Sequence, residues 1–139
     1  MKKNVVLILI LSILLIVFIF GMFLGSFNFT NSKRLGKTNY YLVKGAANVV
    51  GLYYKYPEMS DMFVGVLEGH ITDIYWNEQY ILVTQCAINS DSIRGYYIIK
   101  MLPPVETGVP YEKISIFSKE EYEQKKKELR LNEKEMKHN

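Results

Sequence analysis

Residues 71–85, with the sequence ITDIYWNEQYILVTQ, decide the predicted fold because they have the pattern of a β-hairpin. Two runs rich in Ile, Tyr, Val and Thr flank the polar turn Asn-Glu-Gln. Side chains alternate along a strand, so the more buried face is expected to hold Thr72, Ile74 and Trp76. Ile71 then lies on the opposite face. The hairpin predicts an antiparallel sheet.

Further short strands are predicted on both sides of the hairpin. Each run is rich in Tyr, Val, Ile or Thr and is bounded by turn formers such as Pro57 and Gly69. The predicted strands cover residues 39–43, 49–56, 62–68, 71–76, 80–87 and 96–101. Consecutive strands at this spacing predict one antiparallel β-meander. Prolines and a glycine after residue 101 predict a loop there, because proline cannot donate to a sheet ladder.

A helix is predicted to begin after Ser118. Ser118 is its N-cap, Glu121 completes a capping box, and Phe117 is placed to pack on Tyr122. Two i,i+4 pairs of opposite charge add support, namely Glu121–Lys125 and Glu123–Lys127. The thin apolar stripe places this helix on the surface. The expected fold class is α+β, with an N-terminal transmembrane helix and a small antiparallel meander closed by a C-terminal helix.

The hydrophobic segment at residues 5–24, VVLILILSILLIVFIFGMFL, is long enough to cross a membrane. Twenty helical residues at about 1.5 Å each span the ~30 Å hydrocarbon core. A cleaved signal peptide is the alternative, but its apolar stretch is usually about 7–15 residues long and ends in small residues. Here the bulky Leu24 stands in the place of a small residue. A retained signal anchor in the cell membrane is therefore favoured.

The remaining organisation follows from this anchor. Residues 1–26 form the anchor, 27–37 a polar linker, 38–131 a β-rich domain with its C-terminal helix, and 132–139 a flexible tail. The N-terminal tail is too short to fold, so we expect a single-pass protein with an extracytoplasmic C-terminal domain.

Charge and cysteine content exclude several classes of protein. Two of the 17 basic residues, Lys2 and Lys3, precede the hydrophobic segment, which leaves 15 basic against 14 acidic residues, or +1, after it. This near-neutral balance argues against a nucleic-acid partner. The single cysteine excludes an intramolecular disulfide and a CxxC metal or redox site.

The few candidate chemical groups do not form a recognisable motif. Cys86 needs a base within hydrogen-bond reach to act as a nucleophile, and His70 could reach it only through the hairpin. The polar cluster of Glu68, His70 and Asp73 lacks the fixed spacing of a metal site. We therefore expect a buried structural thiol, solvated turn residues, and no catalytic, cofactor-binding or metal-binding residues.

Tyrosine is unusually frequent, with 11 residues concentrated in the strand region. Strand propensity explains much of this pattern. The alternative is a recognition surface, because exposed aromatic side chains give a rigid amphipathic contact area. The candidate binding surface consists of Tyr53, Tyr75, Trp76 and Tyr97.

Three stretches, ITDIYWNEQYILVTQ, GYYIIK and PYEKISIFSKEEYEQKKKELRL, resemble a family of small bacterial envelope proteins that share a domain of unknown function. The resemblance covers residues 35–131 and implies a fold rather than a chemistry. Members are commonly lipoproteins with an acylated cysteine after a Leu-x-Gly-like stretch. This chain has Ser26 at that place, which favours a retained helix.

These observations predict a membrane-anchored binding or accessory protein without catalytic activity. The expected partner is another envelope protein. An immunity-type or inhibitor protein acting at the membrane surface is the alternative, suggested by the small size and the lack of catalytic residues.

Overall fold

The computed structural model describes residues 12–13, 16, 31–59, 62–106 and 108–139. The chain divides into two compact units, Met1–Thr30 and Asn31–Asn139. In the first unit only Ser12, Ile13 and Ile16 are described, and they are helical. The predicted anchor at residues 5–24 otherwise lies outside the described residues. Within the part of the chain that is described, no helix is long and apolar enough to cross a membrane.

The second unit is mostly β-structure. Its strands are β1 (Ser32–Arg34), β2 (Tyr40–Lys44), β3 (Val50–Lys55), β4 (Phe63–Leu67), β5 (His70–Trp76), β6 (Tyr80–Cys86), β7 (Ile93–Met101), β8 (Tyr111–Ile116) and β9 (Lys137–His138). One α-helix, α1, covers Lys119–Glu128, and 3-10 turns cover Ala46–Asn48 and Glu133–Glu135. The strands form sheet 1, in the order β1-β2-β3-β4, and sheet 2, in the order β8-β7-β6-β5-β9. All pairings are antiparallel.

The prediction of one meander was wrong in this respect, because the strands divide into two sheets between β4 and β5. Gly69 has a φ of +130°, a conformation that side-chain-bearing residues rarely adopt, and it turns the chain away from sheet 1. The buried Gln85 amide stabilises this break by donating from Nε2 to the Glu68 carbonyl at 2.7 Å and accepting from the Tyr97 hydroxyl at 3.0 Å. The α+β character and the antiparallel pairing are confirmed.

The main core lies between the two sheets. It contains Leu42, Leu52 and Tyr54 from sheet 1 and Ile81, Val83 and Ile99 from sheet 2, among other buried residues. Leu52, Ile81 and Ile99 have no exposed surface. Burial of these apolar side chains, at roughly 25 cal/mol per Å², holds the sheets together.

The hairpin of residues 71–85 forms as predicted, but its face pattern differs. Asn77 Oδ1 accepts hydrogen bonds from the backbone amides of Gln79 and Tyr80, at 2.8 and 2.7 Å, and so fixes the turn. A β-bulge shifts the register between Ile71 and Asp73, and Thr72 is exposed. Ile71 therefore lies in the same core as Ile74 and Trp76.

Helix α1 begins as predicted, since the Ser118 hydroxyl accepts from the Glu121 amide at 3.1 Å. Phe117 does not pack on Tyr122 and is 78% exposed. Tyr122 belongs instead to a second cluster with Leu82, Tyr96, Ile98 and Ile116 of sheet 2. The observed ion pairs use i,i+3 spacing, Glu123–Lys126 and Lys125–Glu128, each at 2.8 Å.

Three strands lie where the sequence predicts none. Strand β1 lies in the expected linker, β8 follows the proline-rich loop, and β9 lies in the expected flexible tail. Strands β1 and β9 are only three and two residues long and entirely exposed. Because their side chains are not buried, these strands show no alternation of apolar and polar residues from which they could be predicted, although they pair with β2 and β5.

Candidate functional site

The outer face of sheet 1, opposite the main core, carries three half-buried aromatic side chains, which we call the aromatic face: Tyr41, Tyr53 and Phe63. Tyr41 is the cross-strand partner of Tyr53. The Tyr41 and Phe63 rings meet edge to face, with centroids 5.4 Å apart. Because alternate residues of β2 and β3 point into the core, these rings are directed away from it.

Two cations flank the aromatic face. The Arg34 guanidinium lies 6.0 Å from the centre of the Tyr41 ring, and Lys55 Nζ lies 5.6 Å from that of Phe63. Arg34 also donates to the backbone carbonyls of Thr38 and Lys37, at 2.5 and 3.1 Å. These bonds hold the Arg34 guanidinium against the β1–β2 turn, beside the Tyr41 ring. Cation–π contacts of this kind are worth about 0.5–1 kcal/mol at exposed sites.

Two glycines make room for the Tyr53 ring. A β-carbon at Gly51 would lie 2.8 Å from Cε2 of Tyr53, so the ring occupies the space above that glycine. On the other side the cross-strand neighbour of Tyr53 is Gly65, which has no side chain to cover the ring. The Glu68 carboxylate lies over Gly65 and is the acidic group at this edge. The Tyr53 ring therefore lies between two glycines, with the Glu68 carboxylate beside it.

The four aromatic residues proposed from sequence do not share one surface. Tyr53 lies on the aromatic face, whereas Tyr75 packs against the second cluster on the α1 side of sheet 2. Trp76 is 7% exposed and lies in the core between the sheets, and Tyr97 packs against that core. Of the four predicted residues, Tyr53 alone therefore belongs to the aromatic face.

Cys86 and His70 are brought together as cross-strand partners. The thiol is buried, and its polar contacts are Thr72 Oγ1 at 3.5 Å and the Asp91 carbonyl at 3.8 Å. The His70 Nδ1 atom is buried without a hydrogen-bond partner among the described residues. Among the described residues, no hydrogen bond joins the thiol to the imidazole, which is the contact that a catalytic Cys–His pair requires.

The polar cluster of Glu68, His70 and Asp73 is not assembled. Asp73 instead contacts Nε2 of His138 at 3.2 Å, and the His138 ring stacks on Tyr75 with centroids 4.5 Å apart. Among the described residues, no group of three or more His, Cys, Asp or Glu side chains could hold a metal ion.

Sequence reasoning missed Arg34, Lys55, Tyr41 and Phe63 as members of one surface. Alternation within each predicted strand could have placed Tyr41 and Tyr53 on outward positions. The register between strands, which sets Tyr41 beside Tyr53, is fixed by tertiary pairing and carries no local sequence signal.

Comparison with models of protein families, with curated proteins and with solved structures finds no match to this chain.

Proposed function

We propose that this protein is a non-catalytic binding protein of the bacterial cell envelope. Residues 5–24 anchor it as a single membrane helix, and the β-rich unit lies outside the cytoplasm. The aromatic face is the recognition surface, and another envelope protein is the partner. The observation that supports this most directly is the set of half-buried rings and flanking cations on the outer face of sheet 1.

The chemistry of the aromatic face favours a protein partner with acidic groups. Aromatic residues and arginine are enriched in protein interfaces because they supply a large contact area at a small loss of conformational entropy. Arg34 and Lys55 stand at two borders of the rings. A partner segment that places an apolar side chain on Tyr53 and carboxylates beside these cations would satisfy both features.

Site-specific photo-crosslinking in intact cells tests this proposal. A photoreactive amino acid at Tyr53 is expected to trap one partner protein reproducibly. The matched control carries it at Ser115, an exposed residue of β8 in the other sheet. Absence of a product at Tyr53, or the same products at both positions, contradicts the proposal.

The anchor and its orientation are tested separately. A reporter that is active only outside the cytoplasm, fused to the C-terminus, is expected to be active in the full chain. Deletion of residues 1–26 should abolish that activity and release the domain from the membrane fraction. An inactive reporter on the full chain contradicts this orientation.

Closure of sheet 2 by α1 is also part of the proposal. The Tyr122 ring stacks on Tyr96 with centroids 4.7 Å apart and is 4% exposed, which supports helix packing on that sheet. With α1 on sheet 2, the half-buried aromatic rings of sheet 1 remain available to a partner.

A further inference from the structure

The indole of Trp76 borders a pocket that shares the β1–β2 turn with the Arg34 end of the aromatic face. This pocket, which we call the Trp76 pocket, has a volume of about 230 Å³. Three segments line it: the β1–β2 turn at residues 35–38, the end of β5 with the following turn at residues 76–78, and the C-terminal region with Glu135 and Lys137. Its volume is below the ~300–1,000 Å³ of sites for drug-sized molecules, so it suits a small group.

The indole N–H of Trp76 is a hydrogen-bond donor without an acceptor among the described residues. Trp76 is 93% buried, and its Nε1 atom has no hydrogen-bond partner among the described residues. An indole N–H can only donate, so it needs an acceptor. Nearly all buried polar groups in folded proteins have one, and an exception requires an explanation.

A second donor, the Lys137 ammonium, lies near the same space above Gly36. A β-carbon at Gly36 would lie 3.4 Å from Trp76 Nε1 and 3.8 Å from Lys137 Nζ. Gly36 has a φ of +59°, so glycine is suited to the turn and also leaves this space open. The Lys137 ammonium has no acceptor or ion-pair partner in the part of the chain that the structure describes. An indole N–H and an ammonium therefore converge without an acceptor between them.

The charges around the pocket restrict the class of ligand. Lys37 and Lys137 are balanced by Glu78 and Glu135, and Glu135 also accepts a bond from Asn132 Nδ2 at 2.8 Å. The two carboxylates repel a dianionic phosphate about twice as strongly as a singly charged anion, so a monoanion fits this pocket better. A carboxylate has the acceptor oxygens that both donors need.

We propose that the Trp76 pocket binds a carboxylate group, with the Trp76 indole N–H and the Lys137 ammonium as its donors. The indole nitrogen is itself buried, so binding requires the side chains around Gly36, the exposed Lys137 among them, to shift while the ammonium stays within hydrogen-bond reach of the carboxylate. Two sources share this chemistry, a free amino acid and the C-terminal carboxylate of a peptide. The proposal does not depend on the aromatic face.

The test uses the single tryptophan of the chain as a reporter. The full chain in detergent micelles gives one indole N–H resonance in a ¹H–¹⁵N spectrum. The spectrum is recorded during titration with glycine, with a short peptide that has a free C-terminus, with the same peptide amidated, and with inorganic phosphate. Glycine or the free peptide is expected to shift the indole resonance saturably, and the more effective of the two identifies the source.

Variants link the shift to the proposed donors. Lys137→Gln is expected to weaken carboxylate binding about tenfold or more, because it removes a charge-assisted hydrogen bond. Lys134→Gln, a change of the same kind at an exposed lysine outside the pocket, should bind like the parent chain. Absence of a saturable shift, an equal shift with phosphate or the amidated peptide, or unchanged binding in Lys137→Gln overturns the proposal.

Discussion

The ammonium of Lys126 lies 2.7 Å from the Glu133 carboxylate and so ties α1 to the 3-10 turn that follows it. The same ammonium lies 2.8 Å from Glu123 and 4.7 Å from the centre of the Tyr122 ring. Only 8% of the Lys126 side chain is exposed. Burial by itself lowers the pKa of Lys126, but the hydrogen bonds that its ammonium donates to Glu123 and Glu133 outweigh burial and raise the pKa above its usual value.

Replacing Lys126 by Met is expected to destabilise the fold. The change keeps the apolar stem but leaves Glu133 without its cation, at a cost of roughly 1–2 kcal/mol, because water at the partly exposed Glu133 weakens the pair. Urea denaturation measures the free energy of unfolding. The control Lys125→Met removes a pair that is exposed on both sides and should lose less. Equal losses in the two variants would contradict the special role of Lys126.

Replacing Tyr122 by Ala tests whether α1 packs on sheet 2. Removal of this 4%-exposed ring from the second cluster should cost about 3–4 kcal/mol of unfolding free energy. Phe117→Ala serves as the control, because that side chain is 78% exposed, and its effect should stay within about 0.5 kcal/mol. A large loss from Phe117→Ala with little from Tyr122→Ala would mean that Phe117 packs on the helix and that the helix does not close the sheet.

Replacing Gly69 by Ala is expected to weaken the junction between the sheets. A β-carbon there would be strained by the φ of +130° and would displace the Gln85 amide from the Glu68 carbonyl. We expect a loss of about 2–3 kcal/mol. Gly65→Ala is the matched control, since Gly65 has no positive φ and the three atoms nearest its β-carbon would belong to the exposed Glu68 side chain, which can move. Thermal denaturation of both variants compares them, and equal midpoints would argue against a requirement for glycine at residue 69.

Alkaline pH is expected to unfold the protein through its buried tyrosines. Burial raises the pKa of Tyr40 and of Tyr122 well above the usual 10.0. The stability that their neutral hydroxyls contribute is therefore fully present below about pH 10, the unfolded-state pKa, and is lost progressively as the pH rises from there through the folded-state pKa values. Urea midpoints measured from about pH 9 to about pH 11 should fall. In Tyr40→Phe, which removes one of these hydroxyls, the fall should be smaller, and constant midpoints in the parent chain would contradict the assignment.

The extent of sequence prediction differs between local and long-range features. Ser118 and Asn77 act through hydrogen bonds to residues two or three positions away, so their roles can be read from sequence. The bulge at Thr72 inserts one residue into the alternation, and no local signal marks it. Lysine is rarely buried, so the sequence does not indicate that Lys126 is. Its long apolar stem packs in the structure while its ammonium pairs with Glu123 and Glu133.

In the candidate site, too, local features could be predicted from the sequence and long-range contacts could not. Tyr53 was identified from composition, but its neighbours Tyr41 and Phe63 are assembled by pairing between strands. The sequence predicts Trp76 at a binding surface, whereas the structure buries it in the core, at the border of a pocket and with its indole nitrogen unpaired among the described residues. The convergence of Gly36 with Lys137 joins residues about a hundred positions apart and could not be predicted.

The hairpin of β5 and β6 carries the single tryptophan and the single cysteine of the chain at its opposite ends. Trp76 pairs with Ile81 beside the turn, and Cys86 pairs with His70 at the open end. Indole fluorescence and the rate of thiol labelling thus report separately on the two ends of one element, without any engineered probe. If the hairpin opens only as a whole, both signals follow the same dependence on denaturant; if it frays from the open end, labelling accelerates first.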